Sequence, residues 1–425
     1  MAHLLAGAAS VNITPPIPIP MGGYIAREGP ANEVHDQLYA RALVLDDGQT
    51  RLAVVTADLL GLYRQTTAKV RGRVQNLCGI PAENLMLACS HTHSGPDSML
   101  LMCATLDQEW EQVLPHYMVS AVYLAVQRLR PARLGVGVGQ AHFTRNRRRP
   151  WEEGTATPPG PVDPEVTVLR VDDAAGQPLA ALFHFTSHAV VLGSDNRALS
   201  ADFPGAAIAA WQQRHHGATG MFLNGCFGDI NPLHHGGFEL VAEYGEQLAE
   251  AVDQACAGMV TSGETRLRRR SVEVEVPLRP FPTVEEAECQ VAAAEARIRT
   301  ASPPLTPVQR QIEMMYPLES RHLSRRPSGP LRTEIQGLRL GDAAFVGLPG
   351  EAFVELGLDI KARSPFPVTA VVGIANDEVG YLPTEAGFAE GGYETQTCRW
   401  SQVAVGAGEL LADRAVQILQ ELKRE

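Results

Sequence analysis

Two histidines separated by one residue close the run Ser90-His91-Thr92-His93-Ser94-Gly95-Pro96, directly after the apolar stretch Leu85 to Cys89. Residues two apart at a strand end project the same way, so the imidazoles of His91 and His93 can converge on one point before Gly-Pro turns the chain. His188 leaves a second apolar run, Leu182 to Phe185, at the boundary with a polar loop; His184, inside that run, reads as a hydrogen-bonded core histidine. Glu351 follows the strand-like Phe345 to Leu348 and a Pro349-Gly350 turn. It is expected to open a helix, where the positive helix end favours a carboxylate. Tyr381 and Tyr393 occupy glycine-rich loops after another apolar stretch. Packing or capping could explain each alone, but all four elements share one architecture of strand, tight turn and polar group.

Histidines and a carboxylate delivered from separate strand ends form the donor set of a catalytic zinc, which keeps a position open for water. Other chemistries lack their signatures. The chain has no His-Glu-x-x-His, no Gly-x-Ser-x-Gly elbow and no Walker-type loop, and Gly135, Gly137 and Gly139 do not complete a dinucleotide fingerprint. Close strand packing explains those three glycines better.

The elements that must position these groups alternate between strand and helix patterns. Strands are expected at 40–45, 52–57, 84–89, 134–138, 166–171, 179–185, 220–223, 272–276, 334–340, 343–348 and 368–373. Helices are expected at 66–78, 109–129, 203–214, 239–257, 284–300, 352–364 and 403–423. Several strands follow one another across short turns such as Arg339-Leu340-Gly341-Asp342, so the fold class is α/β with mixed sheets. Residues 300–330, rich in Pro, Ser and Arg, read as an irregular insertion within a single domain spanning 1–425.

The chain of 425 residues is 45% hydrophobic and 20% charged, the balance of a globular protein with a sizeable core. A formal net charge of −12 argues against a nucleic-acid partner. Basic residues do cluster at Arg145, Arg147 and Arg148, which favours a small polar or anionic substrate. Seven cysteines without a Cys-x-x-Cys pair, and an N-terminus without a basic segment or a long apolar run, lead to the expectation of a cytoplasmic protein with no membrane span. The oligomeric state cannot be read from these features.

Together the motifs resemble, in order along nearly the whole chain, the catalytic domain of the neutral (non-lysosomal) ceramidases. The resemblance is carried by Val11-Asn12-Ile13-Thr14-Pro15-Pro16, Met21-Gly22-Gly23-Tyr24, Ala40-Arg41-Ala42, His91 to Pro96, Asn146-Arg147, His188, Gly228-Asp229, Leu348-Pro349-Gly350-Glu351 and the pair Gly380-Tyr381 and Tyr393-Glu394. It implies two mixed sheets flanked by helices and one zinc ion per chain, held by His91, His188, Glu351 and Tyr381. His93, Arg147 and Tyr393 would contact the reacting group, with Gly23 and Asn231 beside the substrate. The implied activity is cleavage of an amide by zinc-activated water.

Two departures bear on this expectation. Asn231 stands where the family has a serine, which disfavours a serine nucleophile, and the family's C-terminal β-sandwich has no counterpart here. A small polar amide is therefore expected in preference to a sphingolipid. An ester hydrolase or a deacetylase would use the same groups, and a non-enzymatic metal- or ligand-binding homologue would retain the fold.

Overall fold

The computed structural model describes residues 4–99, 108–151, 159–327 and 329–425. Two mixed sheets dominate. The larger has eight strands in the order Thr219–Asn224, Pro178–Phe185, Glu165–Asp173, Arg130–Gln140, Leu5–Asn12, Tyr39–Asp46, Arg51–Ala57 and Leu85–Cys89. Its two outermost pairs are parallel and the interior pairs antiparallel. The smaller sheet runs Leu267–Val276, Leu331–Leu340, Ala343–Gly347 and Val368–Val372, with only the last pair parallel.

The sheets face each other across one apolar layer. Leu43, Leu45, Val54, Met86, Leu169 and Leu182 of the larger sheet meet Leu338, Leu340, Phe345 and Val372 of the smaller. Helices cover the outer faces. Arg64–Cys78 and Gln108–Gln127 lie over one half of the large sheet, Asp202–Arg214 and Phe238–Cys256 over the other, and Val354–Arg363 and Ala407–Arg424 over the small sheet. The strand glycines have the packing role expected of them. A Cβ on Gly137 or Gly139 would run into the carbonyl of Ala255 or Ala251 on the crossing helix, so their bare backbone lets that helix approach closely.

Each parallel pair requires a crossover, and each crossover here is a helix. Three strand-helix-strand units result: Arg51–Ala57 to Leu85–Cys89, Pro178–Phe185 to Thr219–Asn224, and Ala343–Gly347 to Val368–Val372. Parallel strands end together, so the loops leaving their C-terminal ends collect polar residues at one place. The large sheet also curls until its edges approach. The buried Asn224 side chain, ending one edge strand, donates to the carbonyls of Ser90 (3.0 Å) and Ser187 (2.8 Å), stitching the ends from which His91 and His188 emerge.

Within residues 300–330, expected to be irregular, 307–323 is regular. Pro307–Leu323 is a helix that packs antiparallel to Val284–Thr300 as a hairpin. Thr306 caps it through the amide of Gln309, whose side chain returns the bond to Thr306, and Pro307 pre-sets the first turn. Pro317 sits within this helix, and tertiary contacts hold the helix together through it. The six described cysteines are free thiols; Cys103 lies outside the described residues. Among the described residues no helix is long and apolar enough to cross a membrane.

Candidate metal centre

His91, His93 and His188 lie at the C-terminal ends of the parallel strands, each offering a nitrogen within 4.8 Å of the others. His91 adopts a left-handed backbone (φ 63°), which a residue with a Cβ reaches only under constraint. The constraint is visible on its side chain, where Nδ1 donates to the carbonyl of Leu60 at 2.7 Å. A carbonyl can only accept, so in the neutral ring the proton sits on Nδ1 and Nε2 presents a lone pair. His188 is held in the same tautomer by the carbonyls of Phe227 (2.8 Å) and Ile230 (3.1 Å).

Glu351 arrives from the other sheet. It does not open a helix as expected: Glu351–Ala352 is a short strand parallel to Tyr381–Leu382, and the helix starts only at Val354. Register in that pair sets Glu351 beside Tyr381, so two candidate ligands thirty residues apart in sequence become neighbours through backbone hydrogen bonds. One carboxylate oxygen, Oε2, then lies 3.5 Å from His91 Nε2 and 3.1 Å from His188 Nε2.

Burial and close neighbours set the ionisation of these groups. Burial, followed by the Arg147 guanidinium nearby, lowers the pKa of His188 to about 4, so its ring is neutral near pH 7. Burial alone would raise Glu351, but the two imidazoles hold it well below the usual carboxylate range. Two imidazole nitrogens and a carboxylate oxygen therefore converge on one point, a donor set that suits a metal ion. Zinc bound tetrahedrally at 2.0–2.2 Å would set its donors roughly 3.3–3.5 Å apart, close to the separations found. The residues fit such an ion.

His93 completes the cluster differently. Both of its ring nitrogens are buried and have no hydrogen-bond partner. Its ring centroid lies 4.8 Å from that of His91 and 5.6 Å from that of His188. Burial, with His91 and His188 close by, keeps it well below the ordinary imidazole range. Gly23 does not line open space: with φ 90° it packs directly on the His93 ring, where a Cβ would collide.

Arg147 is the hub of the polar wall. It donates to the Gly228 carbonyl (2.6 Å), the Tyr381 hydroxyl (3.2 Å), Asn231 Oδ1 (3.2 Å) and Glu394 Oε1 (3.2 Å). Tyr381 is buried and meets the Tyr393 ring edge-on with centroids 5.8 Å apart, and burial together with Glu351 raises its phenol well above the usual value. Tyr393 lies in a single 3₁₀ turn and is 45% exposed, the rim-most of the expected site residues. All nine of those residues thus gather in one region.

Within the basic run, Arg147 and Arg148 are not free to meet an anion, whereas the Nε of Arg145 is buried without a hydrogen-bond partner. Arg147 and Arg148 share the buried Glu394, and Arg148 and Arg149 reach Glu390. Asp229 is not a partner of a ligating histidine. It caps the helix at Val354 (2.8 Å) and accepts from Asn146 (2.7 Å), while burial raises its pKa to about 6. His184 is the core histidine expected, bonded to the Val371 carbonyl. Glu394 and Asn224 carry no motif signal as individual site residues, because their roles depend on contacts distant in sequence.

The family profile for neutral/alkaline non-lysosomal ceramidase, N-terminal, matches residues 4–263. The chain belongs to the neutral/alkaline non-lysosomal ceramidase family. It is 27% identical to the neutral ceramidase of Pseudomonas aeruginosa, across 95% of this chain and 70% of that protein. It is 25% identical to neutral ceramidase A of Dictyostelium discoideum, across 50% of this chain and 33% of that protein. Among solved structures, the crystal structure of neutral ceramidase from Pseudomonas aeruginosa superposes over the whole chain and 75% of its own length, with a TM-score of 0.79 at 23% identity. The two-sheet fold of this family is thereby the fold of this chain.

Proposed function

We propose that this protein is a zinc-dependent hydrolase of N-acyl amides. The observation that carries the reading is the convergence of His91 Nε2, His188 Nε2 and Glu351 Oε2 at 3.1–3.5 Å. His91, His188 and Glu351 would hold the ion, with Tyr381 beside Glu351. A zinc ion held there would lower the pKa of water and polarise the scissile carbonyl.

The chain's own residues supply the rest of the chemistry. Tyr381, which is buried, and Tyr393, whose phenol pKa is raised by desolvation although the residue is half exposed, offer O–H donors to charge developing on the carbonyl oxygen. His93, with two unpartnered ring nitrogens, can accept a proton from the attacking water and deliver it to the leaving amine. Arg147 orients this wall through Tyr381 and Asn231. No step needs a serine nucleophile, so Asn231 in place of a hydroxyl removes nothing from this scheme.

The substrate reading shifts with the charge pattern. Arg147 and Arg148, two of the three arginines on which a polar or anionic amide was expected, are taken up by Glu394, which weakens the ground for preferring such a substrate. The relatives are named ceramidases, which makes ceramide, a lipid amide, the first substrate to test. The test pairs metal content of the purified protein and of His91→Ala with hydrolysis of ceramides, short N-acyl amides and matched esters. One zinc per chain, lost together with amide hydrolysis in the variant, supports the proposal. A metal-free chain that zinc does not reconstitute, or turnover of the esters alone, would overturn it.

A further inference from the structure

Arg27 is only 6% exposed, yet among the described residues no carboxylate lies within ion-pair distance of it. The other deeply placed arginines differ: Arg41 pairs with Asp58, Arg147 and Arg148 with Glu394, and Arg399 with Glu319. A guanidinium buried without a counter-ion opposes folding, and burial lowers its pKa to about 10. Its hydrogen bonds show what holds it there. Nη1 donates to the Gly22 carbonyl (2.7 Å), Nη2 to the His93 carbonyl (2.7 Å) and Nε to the Asn196 carbonyl (2.9 Å).

Those carbonyls belong to three separate segments: the loop after Met21, the turn carrying His91 and His93, and the loop following His188. The same loop walls the His93 ring. Gly23 lies against it, and Tyr24 meets it edge-on with centroids 5.0 Å apart. Tyr24 is itself fixed by donating to the Leu192 carbonyl (2.9 Å), and the Arg27 guanidinium lies 5.0 Å from its ring. The His93 main chain is anchored at both ends, its amide on the Ala189 carbonyl and its carbonyl on Arg27. These contacts restrain the backbone and one side of the ring, Gly23 lying against Cγ and Nδ1, and neither ring nitrogen has a hydrogen-bond partner.

We infer that Arg27 is a positioning residue for His93, its three-pronged guanidinium clamping the Met21–Arg27 loop and the His93 carbonyl so that the imidazole is seated against Gly23 with Nε2 left without a hydrogen-bond partner. The inference rests on the hydrolase reading for its kinetic consequence only. A lysine keeps the charge but cannot span three carbonyls, because an ammonium lacks the planar fork.

The test uses the zinc-loaded full chain carrying Arg27→Lys, His93→Ala, or both, with Arg27→Gln as a charge-free control. Arg27→Lys and Arg27→Gln should each lower kcat about tenfold or more with KM and zinc content little changed. In the His93→Ala background, Arg27→Lys should add almost nothing, since both changes disable one group. A crystal structure of Arg27→Lys should show the His93 ring turned or displaced from its seat against Gly23. Equal losses with and without His93, or a His93 ring unmoved in that crystal structure, would overturn the inference. If the parent chain hydrolyses no amide, the functional reading fails, and the ring position in the variant still decides the role of Arg27.

Discussion

Glu394 shows how a residue can stand inside a recognised motif, Tyr393-Glu394, while its own role stays illegible in sequence. It is buried between two arginines, Oε1 on Arg147 Nε and Oε2 on Arg148 Nη1 at 2.8 Å, so one carboxylate neutralises both and aims Arg147 at Tyr381 and Asn231. Glu394→Gln should leave two buried guanidinium groups short of a counter-ion and cost about 3 kcal/mol of stability. Equilibrium urea unfolding measures that loss, and kcat should fall by on the order of tenfold or more as Arg147 loses its orientation. A variant as stable and as active as the parent would mean that Arg147 is held by the Gly228 carbonyl alone. The histidines and Glu351 were legible because strand ends and turns carry local signals. Glu394, Asn224 and Arg27 were not, because nothing local marks a side chain whose partners lie scores of residues away.

His184 allows the pH dependence of folding to be worked out away from the metal centre. Burial, followed by nearby Lys361, lowers its folded pKa to about 4 against an ordinary 6.5. Between those values the unfolded chain binds a proton that the folded chain does not, so stability rises with pH across the window and is lost as pH falls toward 4. His184→Gln keeps a donor for the Val371 carbonyl and lacks the titration. Its deficit relative to the parent should shrink by about 2–3 kcal/mol between pH 7 and pH 4.5, read from urea unfolding of zinc-free protein. A deficit independent of pH would show that His184 protonates in the fold as readily as in the unfolded chain.

At the scale of elements, periodicity found the first helix of the hairpin, Val284–Thr300, and missed the second, Pro307–Leu323. Pro317 and a polar first turn hid the second helix, although the capping residues Thr306 and Gln309 were in plain view. The hairpin reaches the site through Glu319, which is buried and accepts from the Arg399 backbone amide (2.9 Å) and from its side chain at Nε and Nη2. Arg399 belongs to the loop that also carries Tyr393 and Glu394, and Arg279 binds the Thr395 and Ser401 carbonyls of the same loop. Glu319→Ala should release this loop locally while leaving the sheets intact. Amide hydrogen exchange at 393–401 should quicken at least about tenfold, with the strands Leu331–Leu340 and Ala343–Gly347 still protected. Uniform loss of protection would show instead that the hairpin supports the whole small sheet.

Over the whole molecule, the mixed α/β layout was readable because each crossover helix and buried strand carries its own hydrophobic period, whereas the meeting of the two sheets was not. That meeting decides what the metal does. His91, His93 and His188 leave the large sheet, while Glu351 and Tyr381 enter beside the small one, so an ion bound by His91, His188 and Glu351 would tie the two sheets together. Zinc that binds only the folded chain should stabilise it by about 4 kcal/mol at a thousandfold excess over its Kd, raising Tm by several degrees. Glu351→Ala should abolish that shift as completely as His91→Ala does, because each removes one side of the tie. Calorimetry with and without a chelator makes the comparison. A zinc-dependent shift that survives in Glu351→Ala but not in His91→Ala would place the ion on the three imidazoles of the large sheet, with His93 as a ligand and Glu351 left free to act on the proton of the attacking water.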